Sequence, residues 1–401
     1  MPVRKINTTD LKPGMFVVKV SSDSLSLPQS FQNFHIKSKS DIARLIKAQI
    51  KFVFIDDSKE KKSEEPAKNE PAKKADGVVK GPSAELTKEL KAAKQVQEKA
   101  KETINKVMDM ALKDQPVEAK MLTPVVNQTF ESLTRNDQAL LTLMHMKRHG
   151  QVLLSHAFSV LSLATAVANR LKYSYEEIEL LGMAAMMYDV GWVRMPANLV
   201  AKEKPYTAKE LQLVHKHPQF SEEITKKSED LPEEVIRIIR EHHEFLDGTG
   251  YPNKLKGDQI SELAHILCVV DYYDAMVHGF MGYQGRTPNA ALKVLYKASQ
   301  EGKIDNKIIV PLVHVLGVYP LTSAVQLNTG ERAVVIEMNR KSPVNPTVKI
   351  WYDSNVKPLK NPIIVNLAEQ EGDDVRKIEG IIDPNSEGID PFRILKMDEE
   401  V

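Results

Sequence analysis

Residues 140–171 read LLTLMHMKRHGQVLLSHAFSVLSLATAVANRL, and residues 179–190 read ELLGMAAMMYDV. Both runs are apolar over a wide helical face, which is typical of helices that pack together in an all-α bundle. Patterns of this kind continue over residues 126–320. We therefore predict one helical domain over that range and a fold class that is mainly α.

The pattern changes on both sides of this helical domain. At the N-terminus, MFVVKV (15–20) and KFVFI (51–55) are predicted strands, with a helix SDIARLIKAQI (40–50) between them. These elements indicate a small α+β domain over residues 1–57. After the helical domain, AVQL, the turn NTG, RAVVIEM, TVKIWYD and PIIVNL predict short strands. Residues 321–401 are therefore predicted to form a β-rich C-terminal unit.

A charged segment separates the first two domains. Residues 58–82 read SKEKKSEEPAKNEPAKKADGVVKGP, with Val78 and Val79 as the only large apolar residues. Such a segment buries too little apolar surface to offset the entropy of ordering, so we predict a flexible linker. A connecting helix over 83–125 follows, with one apolar stripe. The stripe either packs on its own domain or forms a homodimer contact. It comprises Leu86, Leu90, Ala93, Ala100, Ile104, Val107 and Ala111.

Composition excludes several classes of protein. The chain has 401 residues, 42% of them hydrophobic, and a formal net charge of +1, so no overall basic field recruits DNA or an anionic membrane. No stretch approaches 18 uncharged apolar residues, and we expect no membrane span. The single cysteine, Cys268, cannot form an internal disulfide. These features predict a cytoplasmic protein.

The histidines are unevenly distributed, since only His35 of eleven lies outside residues 145–314. Imidazoles together with carboxylates form the ligand set expected for borderline divalent metals such as iron, manganese, zinc or nickel. Asp189 adds a second argument, because a carboxylate at the end of an apolar helix needs a cation, hydrogen bonds or a proton. The spacing alone does not show that these residues converge. The candidate ligands are His156, Asp189, His217, His242, His243 and Asp271.

A family resemblance supplies the convergence. Residues 241–276, EHHEFLDGTGYPNKLKGDQISELAHILCVVDYYDAM, closely resemble the signature of HD-GYP domains. The stretch MAAMMYDVGWVRMP (183–196) resembles the metal-binding helix of the same family. The resemblance covers about half the chain, roughly residues 140–320, and implies an HD-type helical bundle. It also implies metal-dependent phosphodiesterase activity on the bacterial messenger cyclic di-GMP.

The resemblance assigns roles to individual residues. Asp189 falls on the catalytic, bridging metal ligand of the family. One metal would have His156, Asp189 and Asp271, and its neighbour would share Asp189 and add His217, His242 and His243. The loop after the paired histidines would bind nucleotide through the ring and hydroxyl of Tyr251. The other candidate nucleotide-binding residues are Gly250, Pro252, Lys254 and Lys256.

Three positions depart from the family pattern. Tyr188 stands where the family has a histidine ligand, Trp192 where it has a lysine near the phosphate, and Val152 where some members have a glutamate. A phenol with a reference pKa of ~10 is a poor metal ligand, and we expect the indole only to stack or pack. We therefore predict one or two ions at reduced occupancy, with the side formed by His217, His242 and His243 favoured.

Two classes of function remain open at this point. The first is a degenerate phosphodiesterase of cyclic di-GMP signalling, with weakened or lost activity. The second is a receptor for cyclic di-GMP, or a scaffold for signalling proteins such as diguanylate cyclases, without hydrolysis. Hydrolysis of another phosphoester is a third option. Tyr188 and Trp192 favour the second class, and the family resemblance favours the first.

Overall fold

The computed structural model describes residues 3–12, 14–21, 34–36, 42, 45, 50–56, 78–79, 84–144, 152–202, 204–279, 285–370, 372 and 375–383. Within it the chain forms two compact units, Met1–Lys73 and Lys74–Val401.

The first unit contains a four-stranded antiparallel sheet in the order β1-β4-β2-β3. Its strands are β1 (Val3–Asn7), β2 (Phe16–Ser21), β3 (Phe34–His35) and β4 (Phe52–Asp56). Alternate residues point inward, so that Val17, Val53 and Ile55 are buried together with Leu45. The two predicted strands are confirmed as β2 and β4. Most of the helix predicted over 40–50 lies outside the described residues.

The second unit is mainly helical, as predicted. Capping boxes begin two of its helices, with Ser174 and Glu177 at the start of α4 and Thr207 and Glu210 at the start of α6. None of the described helices is long and apolar enough to cross a membrane. The helices are α1 (Ala84–Leu112), α2 (Ala119–Met144), α3 (Val152–Arg170), α4 (Tyr175–Met187), α5 (Ala197–Val200), α6 (Ala208–Val214), α7 (His217–Thr225), α8 (Glu233–Glu241), α9 (Glu262–His278), α10 (Pro288–Gln300) and α11 (Asn306–Leu316).

The core of this unit is built around α3, which packs against α4 and α9. Phe158 and Leu161 of α3 are fully buried, as are Val269 and Val270 of α9. The apolar stripe of α1 is buried in the same core, which supports packing on its own domain. The homodimer stays a prediction. Helix α3 carries His156, α9 carries Asp271, and α4 ends just before Asp189. The packing of these helices in the core therefore fixes the positions of three candidate ligands.

A six-stranded antiparallel sheet completes the second unit, in the order β10-β6-β7-β8-β9-β5. Its strands are β5 (Val78–Val79), β6 (Ala324–Leu327), β7 (Arg332–Glu337), β8 (Thr347–Tyr352), β9 (Pro358–Asn366) and β10 (Ile378–Ile381). The C-terminal strands predicted from the sequence are confirmed as β6 to β9. Val78 and Val79 belong to the segment predicted as a linker, yet they pair with β9. The other residues of 58–82 lie outside the described part of the chain, and the domain boundaries stay a prediction.

Candidate functional site

The six candidate ligands come from five different elements and meet at one cavity of about 640 Å³. His156 lies on α3 and Asp271 on α9, while Asp189 follows the end of α4. His217 is the first residue of α7, and Pro218 follows it in the first turn. Proline is favoured there because the amide hydrogens of the first turn have no partner within the helix, so its missing N–H costs nothing. The paired histidines follow α8. All six line the cavity or contact a residue that does.

Three histidines of this set form a compact nitrogen cluster. His217, His242 and His243 each offer one ring nitrogen, and these atoms all lie within 4.8 Å of one another. The Nδ1 atoms of His217 and His242 lie 2.7 and 2.6 Å from the backbone carbonyls of Val214 and Ile239. A carbonyl oxygen can only accept, so both Nδ1 atoms carry the hydrogen. The two Nε2 lone pairs therefore face each other, with the atoms 3.2 Å apart.

Burial keeps these imidazoles neutral. It lowers the pKa of His217 and His243 well below the ordinary value, and neighbouring histidines lower both further. It also lowers the pKa of His242, against the charge of Asp271. Neutral imidazole is the form that binds metal ions. Two facing lone pairs in a buried site repel each other, and a cation between them would remove that repulsion.

Asp189 borders the nitrogen cluster and is held by its own turn. Its Oδ1 atom lies 3.3 Å from His217 Nε2 and accepts a hydrogen bond from Trp192 Nε1 at 3.0 Å. Burial raises the pKa of Asp189 to about 7, and the charge of Asp271 adds to this shift. Ser221 fixes the turn on α7, because its Oγ accepts from Gly191 N and donates to the Tyr188 carbonyl.

On the other side of the cavity, His156 lies between two carboxylates of α9. Its Nε2 atom is 2.9 Å from Asp271 Oδ1, and its Nδ1 atom is 2.7 Å from Asp274 Oδ2. Burial alone would lower the pKa of His156, but the hydrogen bonds and the charges of these two carboxylates together outweigh burial and raise the pKa to about 10. The sequence reasoning missed Asp274. Its spacing of three residues from Asp271, on one helical face, was the available signal.

Tyr188 and Trp192, two of the positions predicted to depart from the family pattern, take part in this geometry. The Tyr188 hydroxyl donates to Asp271 Oδ1 at 3.0 Å, and the side chain is fully buried. The Trp192 ring stacks on the His217 ring, with centroids 5.2 Å apart and planes at 22°. The expectation that this indole would only stack or pack was wrong, because it also donates to Asp189. Val152 is the first residue of α3, and its side chain lies outside the described residues.

The loop after the paired histidines places one of its five candidate residues in the cavity. Tyr251 lines the cavity and stacks on His215, with ring centroids 3.9 Å apart and planes at 10°. Gly250 is required by close approach, since a Cβ there would lie 2.4 Å from the Phe245 nitrogen. Gly250 and Pro252 do not line the cavity, and neither do Lys254 and Lys256, which are exposed. The roles of these four in nucleotide binding stay a prediction.

Two further cavity residues had been given no role. His215 lies beside Tyr251 in the cavity wall. Arg286 is the one lysine or arginine among the described residues that line the cavity. Apolar side chains complete the wall, including Leu211, Met276 and Val294. The cavity thus combines a histidine and carboxylate floor with aromatic, apolar and cationic walls.

Comparison with known families divides the chain into three matched segments. Residues 120–308 match the HD domain, residues 3–122 match a domain of unknown function (DUF3391), and residues 324–376 match a KOW domain associated with the HD domain. The HD match contains every candidate ligand described above.

Two relatives have been named for their activity. The cyclic di-GMP phosphodiesterase PA4108 of Pseudomonas aeruginosa is 28% identical over 368 residues, which are 90% of this chain and 88% of the relative. The cyclic di-GMP phosphodiesterase response regulator RpfG of Xanthomonas campestris is 33% identical over 142 residues, 35% of this chain and 37% of the relative. Among solved structures, Bd1817, an HDG"Y"P protein from Bdellovibrio bacteriovorus, has a TM-score of 0.49 and 17% identity, and covers 79% of this chain and 99% of its own.

Proposed function

This chain belongs to the HD-GYP family of HD-domain proteins, and from that premise we propose that it is a metal-dependent cyclic di-GMP phosphodiesterase with reduced activity. The observation that carries the proposal is the pair of facing Nε2 lone pairs of His217 and His242, 3.2 Å apart. Two relatives named as cyclic di-GMP phosphodiesterases support the choice of substrate.

The donor set fits one divalent ion well. His217, His242 and His243 would supply three imidazole nitrogens. Asp189 would supply a carboxylate oxygen, Oδ1, which lies 3.3 Å from His217 Nε2. This combination suits iron, manganese, zinc or nickel. When bound, such an ion supplies Lewis-acid charge that neutralises the phosphoryl oxygens of a phosphodiester. The protein holds the imidazoles in the correct tautomer through the carbonyls of Val214 and Ile239.

The second half of the site is less suited to a cation. Asp271 Oδ1 already accepts from the Tyr188 hydroxyl and lies within hydrogen-bond distance of His156 Nε2. A histidine at position 188 would offer a further nitrogen ligand. Tyr188 offers none, because burial raises the pKa of its phenol well above the ordinary value. The phenol therefore keeps its proton and acts as a donor. We infer one tightly held ion per chain, with a weaker second position.

Substrate would be bound by the cavity walls. Arg286 lines the cavity and offers a guanidinium to phosphate oxygens. A guanidinium can donate two parallel hydrogen bonds to one phosphate group. The stacked rings of His215 and Tyr251 offer a flat surface to a nucleobase. The cytoplasmic location and an association with signalling proteins such as diguanylate cyclases stay predictions.

The decisive test uses Tyr188→His, which restores a nitrogen ligand, with Tyr188→Phe as the matched control that removes the hydroxyl and adds no ligand. Metal content is measured by plasma mass spectrometry after manganese or iron loading, and cyclic di-GMP hydrolysis by chromatography of the products. We expect about one ion and slow turnover in the wild type. Tyr188→His should approach two ions and raise turnover roughly 10-fold or more, and Tyr188→Phe should do neither.

The same experiment separates the receptor alternative, which the hydrogen bond from Tyr188 to Asp271 favours. If the wild type already matches Tyr188→His in turnover, the reduced-activity proposal is wrong. If both proteins bind cyclic di-GMP tightly and neither hydrolyses it, the chain is a receptor. Absence of nucleotide binding by metal-loaded protein would instead indicate a scaffold.

A further inference from the structure

We propose that Trp192 is a positioning residue that orients two candidate ligands of the same ion, the Asp189 carboxylate and the His217 imidazole. The proposal rests on the metal-binding function proposed above and goes beyond it, because it assigns a supporting role to a position where the family has a lysine. Two independent contacts carry it, one to each ligand.

The first contact fixes the carboxylate. An indole has a single N–H donor and no acceptor, and a buried donor needs a partner. Trp192 is only 4% exposed, and its Nε1 donates to Asp189 Oδ1 at 3.0 Å. When Asp189 is ionised, as a metal ligand must be, this bond is charge-assisted and restrains the rotation of the Asp189 side chain. The carboxylate is thereby held beside His217 Nε2 at 3.3 Å.

The second contact fixes the imidazole. The indole lies almost parallel to the His217 ring, at a centroid distance of 5.2 Å and an angle of 22°. A hydrogen bond holds the edge of the same imidazole, because its Nδ1 donates to the Val214 carbonyl at 2.7 Å. His217 is therefore restrained at its face by Trp192 and at its edge by Val214, and its Nε2 points toward the nitrogen cluster.

The indole is itself held rigidly. It belongs to a separate apolar cluster with Met195, Leu199, Tyr206 and Val214, outside the main core. The turn that carries it is pressed onto α7, since a Cβ at Gly191 would lie 2.2 Å from the His217 carbonyl oxygen. A lysine at position 192 would bring charge to the site, but its flexible chain has no flat face to stack on an imidazole. Trp192 thus supplies orientation in place of charge.

The first test is metal affinity. Trp192→Phe keeps an aromatic ring over His217 and removes the hydrogen bond to Asp189. We expect its dissociation constant for Mn²⁺, measured by calorimetry on the full chain, to rise about 10–100-fold. Thermal unfolding of the metal-free proteins shows whether the variant is folded. A folded Trp192→Phe that binds Mn²⁺ with wild-type affinity overturns the proposal.

The second test uses the fluorescence of the indole. The chain has two tryptophans, and Trp351 lies on β8 of the C-terminal sheet. With excitation that selects tryptophan over tyrosine, only Trp192 emits in Trp351→Phe, and a paramagnetic Mn²⁺ ion bound to the stacked His217 should quench most of this emission. Trp192→Phe, which retains only Trp351, should show no quenching at the same MnCl₂ concentration.

The outcomes distinguish this inference from the function on which it rests. If the wild type binds no Mn²⁺ by calorimetry, the metal site itself fails, and the inference fails with it. If the wild type binds Mn²⁺ and Trp351→Phe shows no quenching, the ion is bound away from His217 and the role of Trp192 is refuted. Quenching together with weakened binding by Trp192→Phe supports the positioning role, whatever the turnover of cyclic di-GMP.

Discussion

His156 is the candidate ligand whose two ring nitrogens both face carboxylates, and Asp274→Ala removes one of them. The distances are 2.7 Å from Nδ1 to Asp274 and 2.9 Å from Nε2 to Asp271. Both carboxylates are almost fully buried, and together they raise the pKa of His156 to about 10 against the effect of burial. In metal-free protein His156 is therefore an imidazolium at neutral pH. Removing one partner of a buried ion pair costs about 3–5 kcal/mol.

The pH dependence gives this prediction a sign. The pKa of His156 is higher in the folded protein than its ordinary value of 6.5, so the pairing contributes fully below that value. The contribution is lost as the pH rises through about 10, where the folded imidazolium loses its proton. We expect Asp274→Ala to lower the free energy of unfolding by about 3 kcal/mol near pH 6, the lower end of the assay range. The difference should shrink toward about 1 kcal/mol, the value of a neutral hydrogen bond, at high pH.

The assay is urea unfolding of both proteins in excess chelator, from pH 6 to pH 10, followed by far-UV circular dichroism. Asp274→Asn is the matched variant, because its amide oxygen still accepts a hydrogen bond and only the charge is lost. His278 also contacts Asp274, at 2.9 Å from its Nδ1 to Oδ1, so His278→Ala measures that second partner separately. A difference between Asp274→Ala and wild type that is constant from pH 6 to pH 10 would refute the charged pairing of His156.

Two further predictions follow from close contacts in the site. Gly191→Ala would place a Cβ 2.2 Å from the His217 carbonyl, so we expect a loss of about 1–3 kcal/mol in urea unfolding and weaker metal binding; unchanged stability would contradict the close packing of the turn on α7. Arg286→Ala should raise the KM for cyclic di-GMP roughly 10-fold or more at unchanged metal content, since a hydrogen bond to a charged group contributes about 1.5–3 kcal/mol; an unchanged KM would remove Arg286 from the substrate site.

The fold followed from the sequence where local patterns are strong. The apolar stripe of α1 and the alternating strands β6 to β9 have periods that identify helix and strand without knowledge of their partners. Strand β5 could not be found in this way. Its two valines stand in a charged segment, and they form a strand only because β9, near the other end of the chain, offers an edge to pair with. Pairing between distant segments leaves no local signal of this length.

Sequence alone could not predict the whole site, because it does not show which neighbouring groups a side chain contacts. Residue types and the family signature identified the six residues that the structure brings together. Asp274 was missed because a carboxylate one turn from Asp271 has the same pattern as a solvated helical face. Arg286 was missed because its segment matches no family motif, and its place in the cavity wall depends on the packing of α9 and α10. Sequence spacing gives the helical face of a residue, and only packing decides what that face meets.

Tyr188 and Trp192 have one feature in common. The Tyr188 hydroxyl donates to Asp271 at 3.0 Å. The Trp192 indole N–H donates to Asp189 at 3.0 Å. Each side chain therefore gives one neutral donor to one of the two carboxylates predicted to bind metal. The Tyr188 bond occupies an Asp271 oxygen that a second ion would need. The Trp192 bond orients Asp189 beside the nitrogen cluster, so both contacts favour one ion at that cluster over two. The three histidines accept no bond from either residue in the described contacts, which is why the nitrogen cluster is the place where an ion should remain.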